Sequence, residues 1–438
     1  MAALDAFRPR LATLLGEAAG AHGVPGAACG VLWGGESEVV AHGVANLGTG
    51  VEATPDTLFQ IGSITKLYTT TLVMQAHSAG VLALDEPVRA QLQEFSVADP
   101  GATLEITPRH LLTHTSGIAG DHLHDTGANQ DTLMRYVATL AALGQVHAPD
   151  EAYSFCNTGF GVLGRLIEVT TGQVFDRALR HRLVRPLGCT STLTMPRHLL
   201  LRRVAAGHTQ VPGGPARRQG RWTLTRSNGP MGGIVCTAGD LLAFARMHLD
   251  AGAGADGSEL LPPAAVKLMQ EPHIDTPVPG EGQALGWSSR RWGDTVVLGQ
   301  DADTFGQRAF LRVVPSAGFA IAVLTNSPPG EALARDLIAR VAGELLDLPA
   351  DEPCPLPELG PDATAGLDLS RFVGTYGRLH QRVTVALDGA GLRMSAEPSG
   401  VLAALGDRSF EAPLRPIDPA AGVFAETSPA TGVEHVVA

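Results

Sequence analysis

The sequence predicts an α+β sandwich followed by a small antiparallel β module. The first 346 residues open with a helical pattern and two strand-like runs, pass through a mainly helical block, and close with three strand-like runs and a helix. Strands from both ends of such a segment can share one sheet with helices packed on it. Residues 347–366 are rich in proline and acidic residues and lack an apolar period, which is typical of a linker. We therefore predict domains at 1–346 and 367–438.

The hydrophobic spacing predicts each element of the large domain in turn. Ser63 falls in the first turn of one predicted helix, which has Gly80 as its stop signal. Another helix is short, with Thr107 as N-cap and Pro108 at the first helical position. Beyond residue 367, short apolar runs alternate with glycine and aspartate turns, as in small antiparallel sheets. Helices are predicted over 4–20, 63–82, 158–172, 237–249 and 333–346, a short helix leading into a loop over 107–117, and strands over 27–35, 36–48, 294–300, 307–314 and 319–327.

Composition and charge restrict the class of protein. The chain has 438 residues, of which 44% are hydrophobic and 17% are charged, as in compact globular proteins. Its formal net charge of −12 argues against nucleic acid or a membrane surface as partner, because both require clustered basic residues. A small-molecule or peptidyl substrate fits this balance better.

Cysteine usage and the N-terminal region indicate a cytoplasmic protein. The first 26 residues interrupt their apolar stretch with acidic residues and arginines, unlike a secretory signal. No run approaches the roughly 20 apolar residues of a membrane span. The cysteines form no CxxC pair and no regular ladder, so we expect neither a zinc site nor a disulfide framework. All five are expected as free thiols: Cys29, Cys156, Cys189, Cys236 and Cys354.

A serine and a lysine three residues apart carry the first chemical signal. In FQIGSITKLYTTTL, Ser63 and Lys66 lie on one face of the predicted helix. A serine hydroxyl becomes a good nucleophile when a neighbouring base takes its proton, and a desolvated lysine can be that base. The alternative is that SxxK occurs by chance and that Lys66 is an ordinary surface lysine.

Four sequence blocks resolve that alternative through a family resemblance. In order, they are TPDTLFQIGSITKLYTTTLVMQ, ITPRHLLTHTSGI, NTGFGVLGRLIEVTTG and PMGGIVCTAGDLLAF. Together they resemble the serine β-lactamase and penicillin-binding-protein superfamily, closest to its class C branch, over residues 1 to 345. The resemblance implies a β-lactamase/transpeptidase-like fold, with Ser63 as the acylated nucleophile and Lys66 as its proton acceptor.

The second catalytic element of this superfamily is a Tyr-x-Asn, and here it departs from the pattern. The matching stretch is EAYSFCNTGF; with Asn157 as the asparagine, Phe155 stands where the tyrosine belongs. Tyr153 lies two residues earlier, roughly 6.6 Å along an extended segment. Either a bulge brings Tyr153 into the catalytic place, or the hydroxyl is lost at Phe155. We favour the loss, because catalytic geometry tolerates little displacement.

The third element of the superfamily is Lys-Thr-Gly or His-x-Gly on a strand beside the site. The matching positions here are Gln300, Asp301 and Ala302. Gln300 can donate a hydrogen bond but cannot form an ion pair with a substrate carboxylate. By the family pattern, the backbone N–H near Asp303 joins that of Ser63 as an oxyanion hole. We therefore expect all four residues, with Phe155 and Asn157, to bind substrate.

Cofactor motifs are not apparent in the sequence. His110 and His114 are four residues apart and could share a helix face, but the resemblance makes them structural and suggests no third metal ligand. No phosphate-binding glycine motif occurs in a strand-turn-helix context. We predict no metal and no cofactor.

The family resemblance also suggests a branch. A cytoplasmic relative with a C-terminal β module looks like the penicillin-binding-protein-type thioesterases, stand-alone cyclases that release nonribosomal peptides from carrier proteins. That branch carries a lipocalin-like C-terminal domain, and RFVGTY at 371–376 is compatible with its opening strand. A class C-like esterase, β-lactamase or D-peptidase is the alternative. The departures at Phe155 and Gln300 leave open a further one, a binding homologue with impaired catalysis.

Overall fold

The computed structural model describes residues 3–209, 216–220, 224–349, 364, 366–400, 403, 409–419, 422–427 and 434–437. In this part of the chain the helices are α1 Ala3–His22, α2 Thr65–Ser78, α3 Pro100–Glu105, α4 Pro108–Leu112, α5 Thr132–Thr139, α6 Asn157–Thr171, α7 Phe175–Leu179, α8 Gly229–Gly232, α9 Ala238–Leu249, α10 Pro263–Gln270 and α11 Gly330–Leu346.

The strands of the same residues are β1 Gly26–Trp33, β2 Glu36–Asn46, β3 Val51–Glu52, β4 Phe59–Gln60, β5 His208–Thr209, β6 Arg217–Arg218, β7 Val235–Cys236, β8 Ile274–Asp275, β9 Gly282–Gln283, β10 Ser288–Trp292, β11 Thr295–Asp303, β12 Arg308–Val314, β13 Phe319–Thr325, β14 Gly374–Arg378, β15 Gln381–Asp388, β16 Gly391–Pro398, β17 Phe410–Asp418, β18 Val423–Thr427 and β19 Glu434–Val437.

Strands from both ends of the large domain form one antiparallel sheet, as predicted. Among the described residues it has nine strands in the order β3-β2-β1-β13-β12-β11-β10-β9-β8. The first hairpin joins the C-terminal strands where β1 pairs with β13, with Ala27 opposite Thr325. β11 continues past the predicted end at Gln300 to Asp303 and pairs with β12 throughout that extension.

Helices cover both faces of this sheet, and the side chains of β13 show the division. Phe319, Ile321 and Val323 pack with α1 and α11 on one face, whereas Ala320 and Ala322 pack with the central helical block on the other. Alternate residues of a strand point to opposite faces, so the smaller alanines leave room for α9. The predicted α+β sandwich is confirmed.

The helix that follows Ser63 begins later than its apolar spacing predicts. Gly62–Ile64 form a 3₁₀ turn and α2 starts only at Thr65, so Ser63 lies just before the α-helix. The backbone of Gly62 has a φ of +42°, outside the range of an α-helix, and turns the chain sharply into Ser63. At the other end, α2 stops at Ser78 and Gly80 adopts a φ of +70°, in keeping with its role as stop signal.

The predicted C-terminal β module is confirmed as a separate antiparallel sheet. The residues described here form six strands in the order β14 to β19, each paired with its neighbour in sequence. A small core of its own includes Leu392, Met394 and Phe424. Most of the predicted linker at 347–366 lies outside the described residues. Its boundaries and the lipocalin-like character of the module stay predictions.

Two further observations concern the sequence expectations. Four of the predicted free thiols, Cys29, Cys156, Cys189 and Cys236, are buried and unpaired, while Cys354 lies outside the described residues. Within the part of the chain that the structure describes, no helix combines the length and apolar character needed to cross a membrane.

Candidate active site

Ser63 and Lys66 form the centre of the site. The Nζ atom of Lys66 lies 2.8 Å from Ser63 Oγ and donates a second hydrogen bond to the backbone oxygen of Met231 at 3.1 Å. Lys66 is fully buried, while Ser63 is partly exposed. The hydroxyl is therefore accessible to a substrate from one side and to the lysine amine from the other.

Burial gives Lys66 the properties of a base. Desolvation lowers the pKa of its amine to about 7, although the nearby groups of Asp121 and Cys156 act in the opposite direction. Near neutral pH a large fraction of the amine is thus uncharged and able to accept the Ser63 proton. The surface-lysine alternative is excluded by this burial.

Hydrogen bonds from the 229–234 segment fix the two residues in place. Thr69 Oγ1 donates to the backbone oxygen of Pro230 at 2.7 Å, and the backbone N–H of Ile234 donates to Thr65 Oγ1 at 3.1 Å. The first turns of α2 are thereby tied to the segment that also accepts from Lys66. Among the residues that the structure describes, the base is held by backbone and hydroxyl groups and by no ion pair.

Gly62 brings the strand β11 against the nucleophile. A Cβ atom at position 62 would lie 2.7 Å from Thr304 Cγ2 and 3.1 Å from Ala302 Cβ. Only glycine allows this approach, which brings the end of β11 next to the turn that carries Ser63. The backbone N–H near Asp303 as second oxyanion donor stays a prediction from the family pattern.

Phe155, not Tyr153, lies beside the lysine. The Phe155 ring centroid is 4.8 Å from Lys66 Nζ and 4.6 Å from the His114 ring centroid. Tyr153 contacts the edge of His114 at 5.9 Å, and burial together with the charge of Glu281 raises its pKa to about 12. Within the described residues, Tyr153 makes no hydrogen bond to Ser63 or Lys66. In that part of the chain, no bulge therefore brings Tyr153 into the place beside Lys66 that Phe155 occupies.

Asn157 begins α6 and is held by a residue that the sequence did not single out. Its Nδ2 donates to Asp121 Oδ1 at 2.9 Å. Asp121 is half-buried and close enough to Lys66 for its carboxylate to favour the charged amine. Asp121 follows the HTSGI block in the sequence. Only its tertiary contact with Asn157 identifies it as a residue of the site.

The two histidines of the HTSG region have separate structural roles. His110 completes the capping box of α4 with the predicted N-cap Thr107. The helix ends at Leu112, so His114 is not on it; His114 has a φ of +60° and its Nδ1 accepts from the backbone N–H of Cys156 at 3.0 Å. Burial, with the charge of Lys66 beside it, lowers the pKa of His114 to about 3 and keeps the ring neutral.

The predicted substrate-binding residues of β11 lie on two faces of the sheet. Ala302 packs with the helical block, and by strand alternation Gln300 lies on that same face. The Asp301 carboxylate instead bonds the buried Arg312 guanidinium on the other face. Desolvation raises the pKa of Asp301, but the charges of Arg312, Arg290 and Arg308, together with the Arg312 hydrogen bond, outweigh it and lower that pKa.

Asp303 follows the same alternation. Its carboxylate lies 2.9 Å from Arg308 Nη2, on the face opposite Ala302. Gln300 is half-buried and its Nε2 donates to the backbone oxygen of Asp301 at 3.1 Å. The structure thus gathers Ser63, Lys66, Phe155 and Asn157 and brings Ala302 against Gly62. It directs the side chains of the two aspartates away.

The model of the beta-lactamase family matches residues 7–345. This chain belongs to the beta-lactamase family. It is 41% identical over 364 residues to penicillin-binding protein 4 of Amycolatopsis lactamdurans, covering 82% of this chain and 94% of that protein. The predicted membership of the serine β-lactamase and penicillin-binding-protein superfamily is confirmed, and with it the serine hydrolase class of the fold.

Solved structures of family members extend the comparison. SurE matches with a TM-score of 0.76 and 30% identity over 99% of this chain and 94% of SurE, and SurE with D-Leu matches with a TM-score of 0.77 and 29% identity over the same shares. A class C beta lactamase from Rhodobacter sphaeroides shares the fold, with a TM-score of 0.61 and 23% identity over 76% of this chain and 99% of that one. The SurE match therefore reaches beyond the family domain into the C-terminal module.

Proposed function

We propose that this enzyme forms an acyl-enzyme at Ser63 from a peptidyl thioester and releases the peptide by attack of an amine, as a nonribosomal-peptide thioesterase and cyclase. The observation that carries acylation is the 2.8 Å contact between Ser63 Oγ and a buried Lys66 whose pKa is about 7. A lysine with that pKa both accepts a proton from serine and gives it up again near neutral pH.

The ring at Phe155 favours a thioester over an amide donor. A thiol has a pKa of about 8.5, so it departs as a thiolate without a proton donor, whereas an amine must be protonated as it leaves. Phe155 stands beside Lys66 where the family pattern has a tyrosine hydroxyl, and it can donate no proton. Loss of that hydroxyl therefore penalises amide and β-lactam donors more than thioesters.

The proton balance closes with Lys66 alone. Ser63 Oγ attacks the thioester carbonyl while Lys66 takes the hydroxyl proton; the C–S bond then breaks and the thiolate leaves. Protonated Lys66, with a pKa of about 7, passes its proton to the more basic thiolate. Lys66 is then uncharged and can accept a proton from an incoming amine. Attack of this amine forms the C–N bond, the ester bond to Ser63 breaks, and Lys66 returns the proton to Ser63 Oγ.

The surroundings of the site support a peptidyl substrate. Asn157 offers an amide group held by Asp121, whose carboxylate acts on Lys66, and Gln300 offers an uncharged hydrogen-bonding group on the β11 side. A thioester-linked peptide has no free C-terminal carboxylate, so it needs no cation at position 300. The likeness to SurE with D-Leu across nearly the whole chain supports a D-residue in that peptide. A carrier-borne donor would also suit the cytoplasmic location expected from the sequence.

Matched substrates test the proposal. The same peptide, with a free N-terminal amine and a D-residue at its C-terminus, is offered as an N-acetylcysteamine thioester, an oxygen ester and an anilide. We expect turnover in the order thioester, ester, anilide, with a cyclic product identified by mass spectrometry and no product from Ser63→Ala. Equal or faster cleavage of the anilide would refute the thioesterase assignment and favour a D-peptidase. Linear product alone would leave a hydrolase and refute the cyclase.

The binding-homologue alternative is distinguished by covalent labelling. A fluorescent fluorophosphonate reacts with an activated serine whether or not the natural donor is known. We expect one adduct, located on Ser63 by mass spectrometry, that disappears in Ser63→Ala and slows strongly in Lys66→Met. Absence of the adduct under conditions that label a class C β-lactamase would favour a binding protein over an enzyme.

A further inference from the structure

The acidic net charge of the chain conceals a wholly basic segment. Residues 177–239 contain eleven arginines and no aspartate or glutamate, whereas the other 375 residues contain 21 basic and 44 acidic side chains. A formal charge of +11 is therefore concentrated in 63 residues of a protein whose total is −12. Charge separated to this degree creates a strong local field at the surface.

The first part of this surface is the end of α7 and the turn after it. Leu179 and Leu183 are buried in the helical block, while four arginines on the outer side, at 177, 180, 182 and 185, are exposed. Partial desolvation and the charges of Arg185, Arg177 and Arg180 lower the pKa of His181 among them. Within the described residues none of the four is in an ion pair. Their charges are thus directed to solvent.

The second part adds apolar side chains to the charge. Leu200 and Leu201 are 83% and 96% exposed, and exposed arginines flank them at 197, 202 and 203. Arg202 Nη2 lies 3.5 Å from the backbone oxygen of Thr190, which follows the arginine-rich turn and joins the two parts. Adjacent leucines that are almost fully exposed and rimmed by charge are typical of a surface that another molecule covers.

This surface is connected directly to the segment that leads into the turn bearing Ser63. The backbone N–H of Leu58 donates to the Arg203 oxygen at 2.9 Å, and the N–H of Ala205 donates to the Leu58 oxygen at 2.9 Å. Leu58 precedes Ser63 by five residues, a span of at most about 18 Å. On the other side, Gln75 of α2 donates to the Arg182 oxygen at 3.1 Å, so both parts are anchored to the elements that bracket Ser63 and Lys66.

We propose that this basic face, residues 177–185 together with 197–203, docks an acidic carrier protein that presents the acyl thioester to Ser63. The inference rests on the proposed function, in which the donor is a peptidyl thioester that a carrier can present. The exposed arginines supply attraction and orientation, and Leu200 and Leu201 supply the apolar contact at the centre. A donor on a small thiol has no acidic protein surface and gains nothing from this face.

The test compares one peptide on two carriers. The peptidyl thioester is presented either on an acidic peptidyl carrier domain or on N-acetylcysteamine, to the full chain and to Arg180→Glu/Arg185→Glu. We expect KM for the carrier-borne substrate to rise about tenfold, with a weaker dependence on salt, and the N-acetylcysteamine kinetics to stay within about twofold. Lys267→Glu/Arg291→Glu, with the same change of charge at exposed positions elsewhere, should alter neither.

The outcomes separate this inference from the proposed function. Unchanged KM for the carrier-borne substrate in both Arg180→Glu/Arg185→Glu and Leu200→Ser/Leu201→Ser would overturn the basic face as docking site. If the wild type turns over neither thioester, the proposed function fails, and calorimetric binding of the unacylated carrier domain still tests the face: binding lost in either variant supports it, and no binding overturns it. A short DNA duplex that displaces the carrier domain would indicate a nucleic-acid surface and overturn the assignment.

Discussion

Lys66 Nζ lies 4.8 Å from the centroid of the Phe155 ring, over its face. The negative face of an aromatic ring stabilises a nearby ammonium group, so Phe155 favours the protonated state that Lys66 reaches after it takes the serine proton. A tyrosine at this place would add a hydroxyl able to pass that proton on. The site can thus hold a proton on Lys66, but the ring cannot relay it.

Restoring the hydroxyl should change which donors the enzyme accepts. Phe155→Tyr should raise kcat/KM for the anilide and for a penicillin roughly tenfold or more, because general acid catalysis of amine departure typically contributes 10² to 10⁴ in rate. The thioester should change by less than about threefold, since its leaving group needs no proton. Steady-state kinetics on the three donors measure the ratio.

The matched control is Tyr153→Phe, which removes the hydroxyl that the sequence offered as substitute. We expect all three donors to keep their rates, because Tyr153 contacts the edge of His114 and forms no hydrogen bond with Ser63 or Lys66 among the described residues. A hundredfold loss in this variant would show that Tyr153 reaches the reacting atoms when substrate is bound.

The pKa of Lys66 predicts the pH dependence of acylation. Only the uncharged amine accepts the serine proton, so the rate of fluorophosphonate labelling should rise with pH through a midpoint near the pKa of about 7 and level off above it. Buried His114 does not contribute a second step in this range, since its pKa is lowered to about 3. A midpoint near 10, as for an exposed lysine, would contradict the burial of Lys66 as the cause of its activation.

The sequence predicted the parts of this site that depend on local order along the chain. Ser63 and Lys66 are three residues apart, and one turn of backbone brings their side chains together whatever the rest of the fold does. The position of Phe155 relative to Asn157 was likewise readable from the motif. These residues lie together in the structure as their spacing predicts.

The features of the site that the sequence did not predict depend on tertiary contacts and on the alternation of side chains along a strand. Asp121 is identified only by its bond to Asn157, which is 36 residues away. Motif matching placed Gln300, Asp301, Ala302 and Asp303 together as substrate-binding residues, yet successive side chains of a strand point to opposite faces. The net charge of the chain did not reveal the basic face, because the acidic residues elsewhere in the chain outnumber its arginines.

Asp121 should set the operating pH of the lysine. Its carboxylate favours the charged amine, so Asp121→Asn should lower the pKa of Lys66 further and move the labelling profile to lower pH. The asparagine oxygen can still accept from Asn157 Nδ2, and the plateau rate should therefore stay within about threefold. Asp121→Ala removes both functions and should lower the plateau as well. An unshifted midpoint in Asp121→Asn would show that this carboxylate acts on Asn157 alone.

Gln300 should determine whether a substrate carboxylate is recognised. The glutamine lies half-buried on the face of β11 that bears Ala302 and carries no charge, so peptides with a free C-terminal carboxylate gain only a neutral hydrogen bond there. Gln300→Lys introduces the cation that the family pattern has, and hydrogen bonds to charged groups contribute about 1.5–3 kcal/mol. We expect KM for a D-alanyl-D-alanine peptide to fall roughly tenfold or more, and KM for its C-terminal amide to stay unchanged, because the amide offers no negative charge.

Gln300→Met has about the same length without charge and should improve neither. If Gln300→Lys lowers KM equally for the acid and the amide, the side chain at position 300 does not contact the substrate terminus. The lack of charge at Gln300 is then not the reason that a thioester is preferred.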